Sequence, residues 1–300
     1  MNRVRSWRNL PTHAVIVTET GHRPQAAFAV APFRTWIQPD GIEHALFYRN
    51  SDGFLVRFPG EADFIIPPDG TGIGITRVPG IVDAVIEHLL LNHVLPLALS
   101  QQYQLVLHAG AVEIDGKAVA FLADSGQGKS TLTASFAVDG RRFLTDDGLL
   151  LQQSEGRYLA SSLHSSLRLL DDSRQALLPE HAFDKSGEKA DGKARLQPGD
   201  SLVHCGGSCE LGAIYVLGDD TPSHAVITPL AAGEAMIRLV RHCFLLGIDE
   251  QHMLEHQFRY FAPLAGRPVF FRLDYPRDYD CLPAVRQAVL SHLAGMGPGV

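Results

Sequence analysis

The 300-residue chain is poor in cysteine, with four, which excludes a protein held together by a disulfide framework at this length. Positive charge is also scarce, because 26 lysine and arginine residues against 33 aspartate and glutamate residues leave a net charge of −7. There is no long run rich in lysine or arginine, so the charge does not favour nucleic acid or an anionic membrane. We therefore expect neither nucleic acid nor a membrane among the partners.

Long uninterrupted apolar runs are missing as well. The most apolar stretch, residues 81–99, is interrupted by Asp83, Glu87, His88 and His93, and so predicts an amphipathic helix rather than a membrane span. A signal peptide has a continuous apolar segment, and the basic N-terminus lacks one. We therefore expect a cytoplasmic protein. Apolar residues (45%) and charged residues (20%) are balanced as in ordinary globular proteins.

Two regions of different pattern predict two domains, over residues 1–100 and 101–300. The first region has short apolar runs separated by Gly, Pro and Asp, which predict a small β-rich N-terminal lobe that ends in a helix over 81–101. Its predicted strands cover residues 13–19, 26–32, 44–49, 54–58, 64–67 and 72–77.

The second region alternates between strand and helix patterns and predicts an α/β domain. Its predicted strands are 104–114, 117–122, 142–145, 149–153, 167–170, 211–217 and 268–273. Its predicted helices are 129–138, 234–246 and 283–293. Residues 179–200 are polar and rich in Gly and charge, and so predict an exposed loop.

The segment ADSGQGKST, residues 123–131, matches the phosphate-loop template G-x-x-x-x-G-K-[ST], with Ala123 at the first glycine position. Glycines allow backbone conformations in which successive N–H groups point at phosphate oxygens, and the helix that follows adds its positive end. We expect Lys129 to reach the β- and γ-phosphates and the Ser130 hydroxyl to bind magnesium (Mg2+). The residues predicted to bind ATP or GTP are Ser125, Gly126, Gln127, Gly128, Lys129, Ser130 and Thr131.

An acidic pair, Asp146-Asp147, follows the predicted strand 142–145. One carboxylate at such a strand end can reach the metal on a triphosphate, and its neighbour can accept a proton from an attacking hydroxyl. Adjacent strand residues point to opposite sides, so the two would divide these roles, and the pattern leaves open which is the base. A plain Asp-Asp-Gly turn is the alternative. His108, in an apolar strand one hairpin upstream, is a candidate phosphate contact or a buried structural histidine.

The order of these features resembles the catalytic core of the HPr kinase/phosphorylase superfamily. It comprises a histidine-bearing strand, a hairpin, a Ser-Gly-x-Gly-Lys-Ser loop, a helix and an Asp-Asp pair, in LHAGAVEIDGKAVAFLADSGQGKSTL and RRFLTDDGLLL. More closely, it resembles the HPr-kinase-like proteins encoded beside peptide natural-product genes, including lasso-peptide clusters. The resemblance is strong over residues 104–151 and faint beyond 200. It implies a P-loop kinase core related to that of phosphoenolpyruvate carboxykinase.

The resemblance also implies an activity, the ATP-dependent transfer of the γ-phosphate to a serine hydroxyl of a peptide or protein. By this likeness Lys129 binds ATP, Ser130 and Asp146 hold magnesium, Asp146 and Asp147 share the metal and base roles, and His108 lies near the transferred phosphate. The Gly-rich signature that HPr kinases carry downstream of the acidic pair is not recognisable, so we expect a precursor peptide, at a serine near its C-terminus, rather than HPr. HPr kinases assemble into oligomers, so the resemblance implies a homo-oligomer.

Other functions stay open on the residues alone. A small-molecule kinase is one, because nothing in the chain identifies the phosphate acceptor. A P-loop ATPase or a nucleotide-binding regulator without kinase activity is another. An ATPase of the ABC type would carry an LSGGQ-like signature and an apolar strand that ends in Asp-Glu, and the sequence has neither.

Three further groups of residues could bind ligands or be ordinary surface. In the polar loop, Lys185, Lys189, Lys193 and Arg195 form a basic cluster in which Lys193 or Arg195 could supply a cation to the transferring phosphate. Arg238 and His242 share one face of a predicted helix, which could be surface or contact the substrate. The run from His204 to Cys209 suggests half of a zinc site, but with no second pair at regular spacing we interpret it as a turn with two incidental cysteines.

Overall fold

The computed structural model describes residues 15–38, 41–165, 167–178, 194–196, 202–246 and 251–296. Over these residues the chain is mixed α/β, which confirms the predicted fold class at this level. The chain divides into two compact units, one within Met1–Gln104 and Leu245–Ile248 and the other within Leu105–Phe244 and Asp249–Val300. Within the described ranges no helix is long and apolar enough to cross a membrane.

A six-stranded sheet forms the first unit. Its strands are β1 (Ile16–His22), β2 (Arg34–Ile37), β3 (Glu43–Asn50), β4 (Gly53–Phe58), β5 (Ala62–Ile66) and β6 (Gly72–Arg77). They lie in the order β1-β6-β5-β4-β3-β2, and all neighbours are antiparallel except β1 and β6. The central strand β4 is buried throughout, and the one charge on it, Arg57, is paired by donating to Asp63 at 2.7 and 2.8 Å.

The strand predicted at 26–32 is wrong, because the second strand of this sheet is Arg34–Ile37. The predicted segment holds four alanines and ends in a proline, and both residue types are depleted in strands. The helix predicted over 81–101 is present as α1 (Asp83–Leu89) and α2 (Leu95–Gln101), joined by a π-helical turn, Leu90–Val94. The wider turn comes just before Pro96, which cannot donate a hydrogen bond within the helix.

An eight-stranded sheet organises the second unit. Its elements are β7 (Leu105–Ile114), β8 (Lys117–Leu122), β9 (Arg142–Thr145), β10 (Gly148–Ser154), β11 (Arg157–Ser162), β14 (Cys209–Leu217), β15 (Val226–Pro229) and β16 (Phe270–Asp274), with a separate pair formed by β12 (Leu167–Leu169) and β13 (Ala194–Leu196). The order is β11-β10-β7-β8-β14-β16-β15, with β9 also on β7 and β11 also on β14. The central strands β8, β14 and β16 are parallel to one another.

Helices cover both faces of this sheet. They are α3 (Lys129–Val138), α4 (Asp171–Leu177), α5 (Ala232–His242), α6 (Gln251–Ala265) and α7 (Leu282–Gly295), with a 3-10 turn, Tyr279–Cys281, before α7. Alternate residues of β8 divide between two apolar cores, because successive side chains of a strand point to opposite faces. Leu122 packs in the core that includes Leu239 of α5, and Phe121 packs in the core that includes Phe136 of α3.

The predicted second-region strands are all present within a few residues of their predicted bounds, and so are the predicted helices 129–138 and 283–293. The helix predicted over 234–246 ends at His242, because Cys243 is extended and bridges to Leu107, and the Phe244 N–H donates to the Val106 carbonyl at 3.0 Å. Strands β11, β13 and β15 and helices α4 and α6 were not predicted, and β13 lies within the segment predicted as a loop, residues 179–200. Proline inside α6, at Pro263, conceals its helical pattern.

Candidate functional site

The loop between β8 and α3 has a backbone that two glycines make possible. Gly126 and Gly128 both have φ of +83°, a left-handed conformation that side chains disfavour. A Cβ atom on Gly126 would meet nothing within 4 Å, so the backbone conformation, not crowding, requires glycine there. Ala123 does not adopt a positive φ, which explains why alanine is accepted at the first template position. Because Gly128 immediately precedes α3, the loop lies at the positive N-terminal end of that helix.

Arg277 fixes the orientation of one peptide group in this loop. Its guanidinium donates to the carbonyl of Gln127 at 2.8 Å and to the carbonyl of Gly218 at 2.5 Å, and lies 4.0 Å from the centre of the Tyr275 ring. In a trans peptide the C=O and N–H bonds point in opposite directions. Because Arg277 holds the Gln127 carbonyl, the N–H of Gly128 points away from Arg277.

Side chains inside the loop hold its remaining shape. The Gln127 amide accepts a hydrogen bond from the backbone N–H of Asp124 at 3.2 Å and donates to Asp219 at 2.5 Å. The Asp124 carboxylate accepts from Arg241 of α5 at 2.6 Å. The Gln127 side chain is thus committed to the protein, so any contact of this residue with a phosphate would come from its backbone.

Lys129 is the best-defined cation of the site. It is only 6% exposed, and its ammonium donates to the Asp146 carbonyl at 2.5 Å and to Asp147 Oδ1 at 3.1 Å. Gly110 on β7 makes this reach possible, because a Cβ atom there would lie 2.1 Å from Thr133 Oγ1 and 3.3 Å from Lys129 Cγ. The close approach of α3 to β7 thus carries the loop lysine to the acidic pair.

Asp146 and Asp147 occupy the connection between β9 and β10, both of which pair with β7. Asp146 is fully buried, and its Oδ2 accepts from the backbone N–H of Arg168 at 3.0 Å. Asp147 is 6% exposed, and its Oδ1 lies 3.6 Å from His108 Nδ1. The side chain of His108 is 39% exposed, so Asp147 adjoins the solvent-accessible part of the site.

The sequence interpretation missed Arg168. This residue of β12 is 7% exposed, and its guanidinium lies 3.4 Å from Asp147 Oδ2 while its backbone N–H binds Asp146. Two cations, Lys129 and Arg168, therefore flank one buried carboxylate, which offsets much of the cost of removing its charge from water. The sequence did contain a signal, because Arg168 lies between leucines in a short apolar strand. An arginine buried in such a strand is rare unless it is paired, so this position could have been predicted to have an acidic partner.

The remaining predicted loop residues have different surroundings. Ser125 is exposed and Ser130 is half-buried in the first turn of α3. The Thr131 hydroxyl lies 2.9 Å from that of Ser173 on α4, which in turn lies 3.1 Å from the Tyr279 hydroxyl. The Thr131 side chain is thus linked to neighbouring protein groups, while Ser130 is the loop hydroxyl closest in sequence to Lys129.

His242 and Arg238, predicted to share a helix face, have different environments. His242 is 5% exposed, and burial lowers its pKa to about 4, so its imidazole is neutral at pH 7. Arg238 is more accessible and lies 3.8 Å from Glu234 one turn earlier. A surface interpretation is therefore wrong for His242, the last residue of α5.

Three members of the predicted basic cluster, Lys185, Lys189 and Lys193, lie outside the described residues. Arg195 belongs to β13, where its backbone is directly opposite Arg168 of β12, and its side chain lies outside the described residues.

The donor set fits a nucleoside triphosphate with a magnesium ion. The loop offers left-handed glycines, open space beside Gly126 and a helix N-terminus, which is the arrangement that binds phosphate groups. Lys129 adds a positive charge. Magnesium prefers oxygen ligands, and the hydroxyl of Ser130 and the carboxylate of Asp146 are of that type.

Among solved structures, the chain is similar to the Hpr(Ser) kinase/phosphatase from Coxiella burnetii. The two are 15% identical, with 64% of this chain and 92% of that chain covered, at a TM-score of 0.35. No family model matches the chain, and no curated protein matches it.

Proposed function

We propose that this protein is an ATP-dependent kinase that uses magnesium and transfers the γ-phosphate to a serine hydroxyl of a peptide or protein. The acceptor class that we propose is a biosynthetic precursor peptide with a serine near its C-terminus. The observation that carries the proposal is the contact of 3.1 Å between the ammonium of Lys129, in the glycine-rich loop, and Asp147. The lysine that we propose to bind phosphate is thus in direct contact with the carboxylate that we propose as the base.

We base the roles proposed for the two aspartates on their surroundings. A base must meet an acceptor that arrives from solvent, and Asp147 adjoins the partly exposed His108, whereas Asp146 is fully buried. We therefore assign proton acceptance from the serine hydroxyl to Asp147, and metal binding to Asp146 together with Ser130. Lys129 and Arg168 hold the Asp147 carboxylate in place, at 3.1 and 3.4 Å.

The chain supplies mainly positioning and charge. Bound magnesium would neutralise developing charge on the β- and γ-phosphates. Lys129 would bind phosphate oxygens, and the loop N–H groups would orient the phosphate chain without rearrangement. His108, beside the base, would contact the transferred phosphate or the acceptor hydroxyl. Such positioning is the principal source of rate enhancement in phosphoryl transfer.

The test is label transfer from γ-labelled ATP with magnesium to candidate precursor peptides that carry a serine. We expect label on the serine, and we expect Lys129→Ala and Asp147→Asn to lower the rate by about 10²–10⁴-fold. The matched controls are Lys117→Ala and Asp220→Asn, which change the same residue types outside the site. Asp146→Asn should chiefly raise the magnesium concentration required, which separates metal binding from proton acceptance.

Other outcomes would redirect the assignment. Label released only as free phosphate, with every peptide offered, would indicate an ATPase. Label on a small molecule from an extract, but on no peptide, would indicate a small-molecule kinase. Nucleotide binding with no turnover would indicate a regulator.

A further inference from the structure

A second group of ligand-type side chains lies in the same unit. Within the described ranges, Glu113, Cys205 and Cys209 form a cluster whose carboxylate oxygen and two sulfur atoms all lie within 4.8 Å of one another. Both cysteines are buried, at 4% and 8% exposure, and the Glu113 side chain is 10% exposed. Glu113 is distant in sequence, which is why the cysteine spacing alone suggested an incidental turn.

The distances within the cluster suit one tetrahedral ion. Zinc binds sulfur at about 2.3 Å, so two sulfurs on one tetrahedral zinc are about 3.8 Å apart. The sulfur atoms of Cys205 and Cys209 are 3.4 Å apart. Binding would thus require them to separate by only about 0.4 Å. The turn between the two cysteines has room to change conformation, because a Cβ atom on Gly206 or Gly207 would meet nothing within 4 Å.

Backbone hydrogen bonds hold the three side chains from different elements. Glu113 of β7 is directly opposite Arg142 of β9, and the Arg142 guanidinium binds its carboxylate. The Cys205 N–H donates to the carbonyl of Phe143 at 2.8 Å, which attaches this cysteine to β9. Cys209 begins β14 and is opposite Ala160 of β11. An arginine bound to a ligating carboxylate is the kind of outer partner that orients metal ligands.

Charge decides which class of ion the cluster suits. Arg142 already balances the charge of Glu113, so the two buried thiols require a doubly positive ion if they bind as thiolates. Thiolates are soft ligands that select zinc over magnesium or calcium. We propose that Glu113, Cys205 and Cys209 bind one zinc-class divalent cation, with water as the fourth ligand.

This site would brace the strand that leads to the acidic pair. The Phe143 carbonyl binds Cys205, and His204 Nε2 lies 2.9 Å from the Leu144 carbonyl. Both contacts fall on β9, which ends at Thr145, one residue before Asp146. The ion would join β7, β9 and β14 at one point, and it is separate from the magnesium proposed at Ser130 and Asp146.

The test uses the untagged, full-length protein, prepared under reducing conditions, stripped with a chelator and titrated with zinc or cobalt. We expect one equivalent of zinc per chain, a rise in Tm on zinc addition, and a sulfur-to-cobalt charge-transfer band with the intensity of two thiolates. The Cys205→Ser/Cys209→Ser variant should lose the band and the rise in Tm. The Cys243→Ser/Cys281→Ser variant, which changes the other two cysteines, should keep both.

Glu113→Gln keeps the size of the side chain and should weaken zinc binding by at least about tenfold. This variant also tests the site if the Cys205→Ser/Cys209→Ser variant fails to fold. Less than one equivalent of zinc in the wild type, or a cobalt band that survives in the Cys205→Ser/Cys209→Ser variant, would overturn the proposal. So would joining of Cys205 to Cys209 as a disulfide in the freshly prepared protein, detected as a mass lower by two hydrogens.

Discussion

The ammonium of Lys129 and the carboxylate of Asp147 lie 3.1 Å apart, and both groups are at least nine-tenths buried. The pair joins the glycine-rich loop to the connection between β9 and β10, so it is structural as well as chemical. Removal of one member leaves the other charge buried with fewer partners. The same contact thus makes the site sensitive to substitution in both stability and activity.

We expect Lys129→Met to lower the free energy of unfolding by about 1–3 kcal/mol, since Arg168 still compensates part of the charge of Asp147. Lys129→Met/Asp147→Asn should cost less than the sum of the two single changes, because the charge imbalance disappears. Urea unfolding at neutral pH measures this double-mutant cycle. The exposed pair Arg157 and Glu210 is the control, with an expected coupling below about 1 kcal/mol. Additive single effects at Lys129 and Asp147 would contradict the interpretation.

Arg277 provides a second prediction, on nucleotide affinity. Arg277→Lys keeps the charge but cannot bind two carbonyls with one planar group. The Gln127 peptide would then lose its fixed orientation, and we expect ATP binding to weaken about tenfold. Calorimetric titration with ATP and magnesium measures the affinity.

The control for Arg277 is Arg286→Lys, because Arg286 binds Asp139 beyond the opposite end of α3. This variant should bind ATP as the wild type does. Equal affinity in Arg277→Lys and the wild type would show that the carbonyl contact does not determine the loop conformation.

His242 provides a prediction on pH. Its pKa is about 4 in the folded chain, because burial disfavours the charged ring, against about 6.5 when unfolded. Between these values the unfolded state binds more protons, so the free energy of unfolding falls as the pH falls from about 6.5 towards 4. We expect His242 to account for about 2 kcal/mol of the loss between pH 7.5 and pH 5.

Urea unfolding at the two pH values checks this, with His242→Gln and the exposed His224→Gln as a matched pair. The loss on acidification should be smaller by that amount in His242→Gln alone. An equal loss in His242→Gln and the wild type would show that His242 is protonated in the folded chain.

Local signals in the sequence predicted most of the second-unit sheet and the components of the loop. Alternation in β8, the glycines of the loop and the adjacency of Asp146 and Asp147 are all visible over a few residues. Arg168 and Arg277 escaped notice because their contacts are not local. Arg168 is 21 residues from Asp147, and Arg277 is 150 residues from Gln127. A single sequence does not reveal such separations.

The sequence also did not show whether a predicted site residue would be buried or exposed. Helical spacing predicted that Arg238 and His242 share a face, but burial along a face depends on what packs against it. His242 is buried at the end of α5 where the chain turns to join β7, whereas Arg238, one turn earlier, is partly accessible. Residue type and spacing therefore identified candidates, and only packing distinguished the buried neutral imidazole from the more exposed guanidinium.

The approach of α3 to β7 gives the last prediction. Gly110→Ala would put a methyl group 2.1 Å from Thr133 Oγ1 and 3.3 Å from Lys129 Cγ. We expect α3 to shift in response and to carry Lys129 away from Asp147. We expect a loss of about 1–3 kcal/mol in the free energy of unfolding, together with weaker ATP binding. Gly110→Ala/Thr133→Ala removes the clashing hydroxyl and should recover part of both losses. Gly233→Ala, in open space on α5, is the control and should not destabilise the protein. If the double variant were as impaired as Gly110→Ala, the cause would lie elsewhere than in this contact.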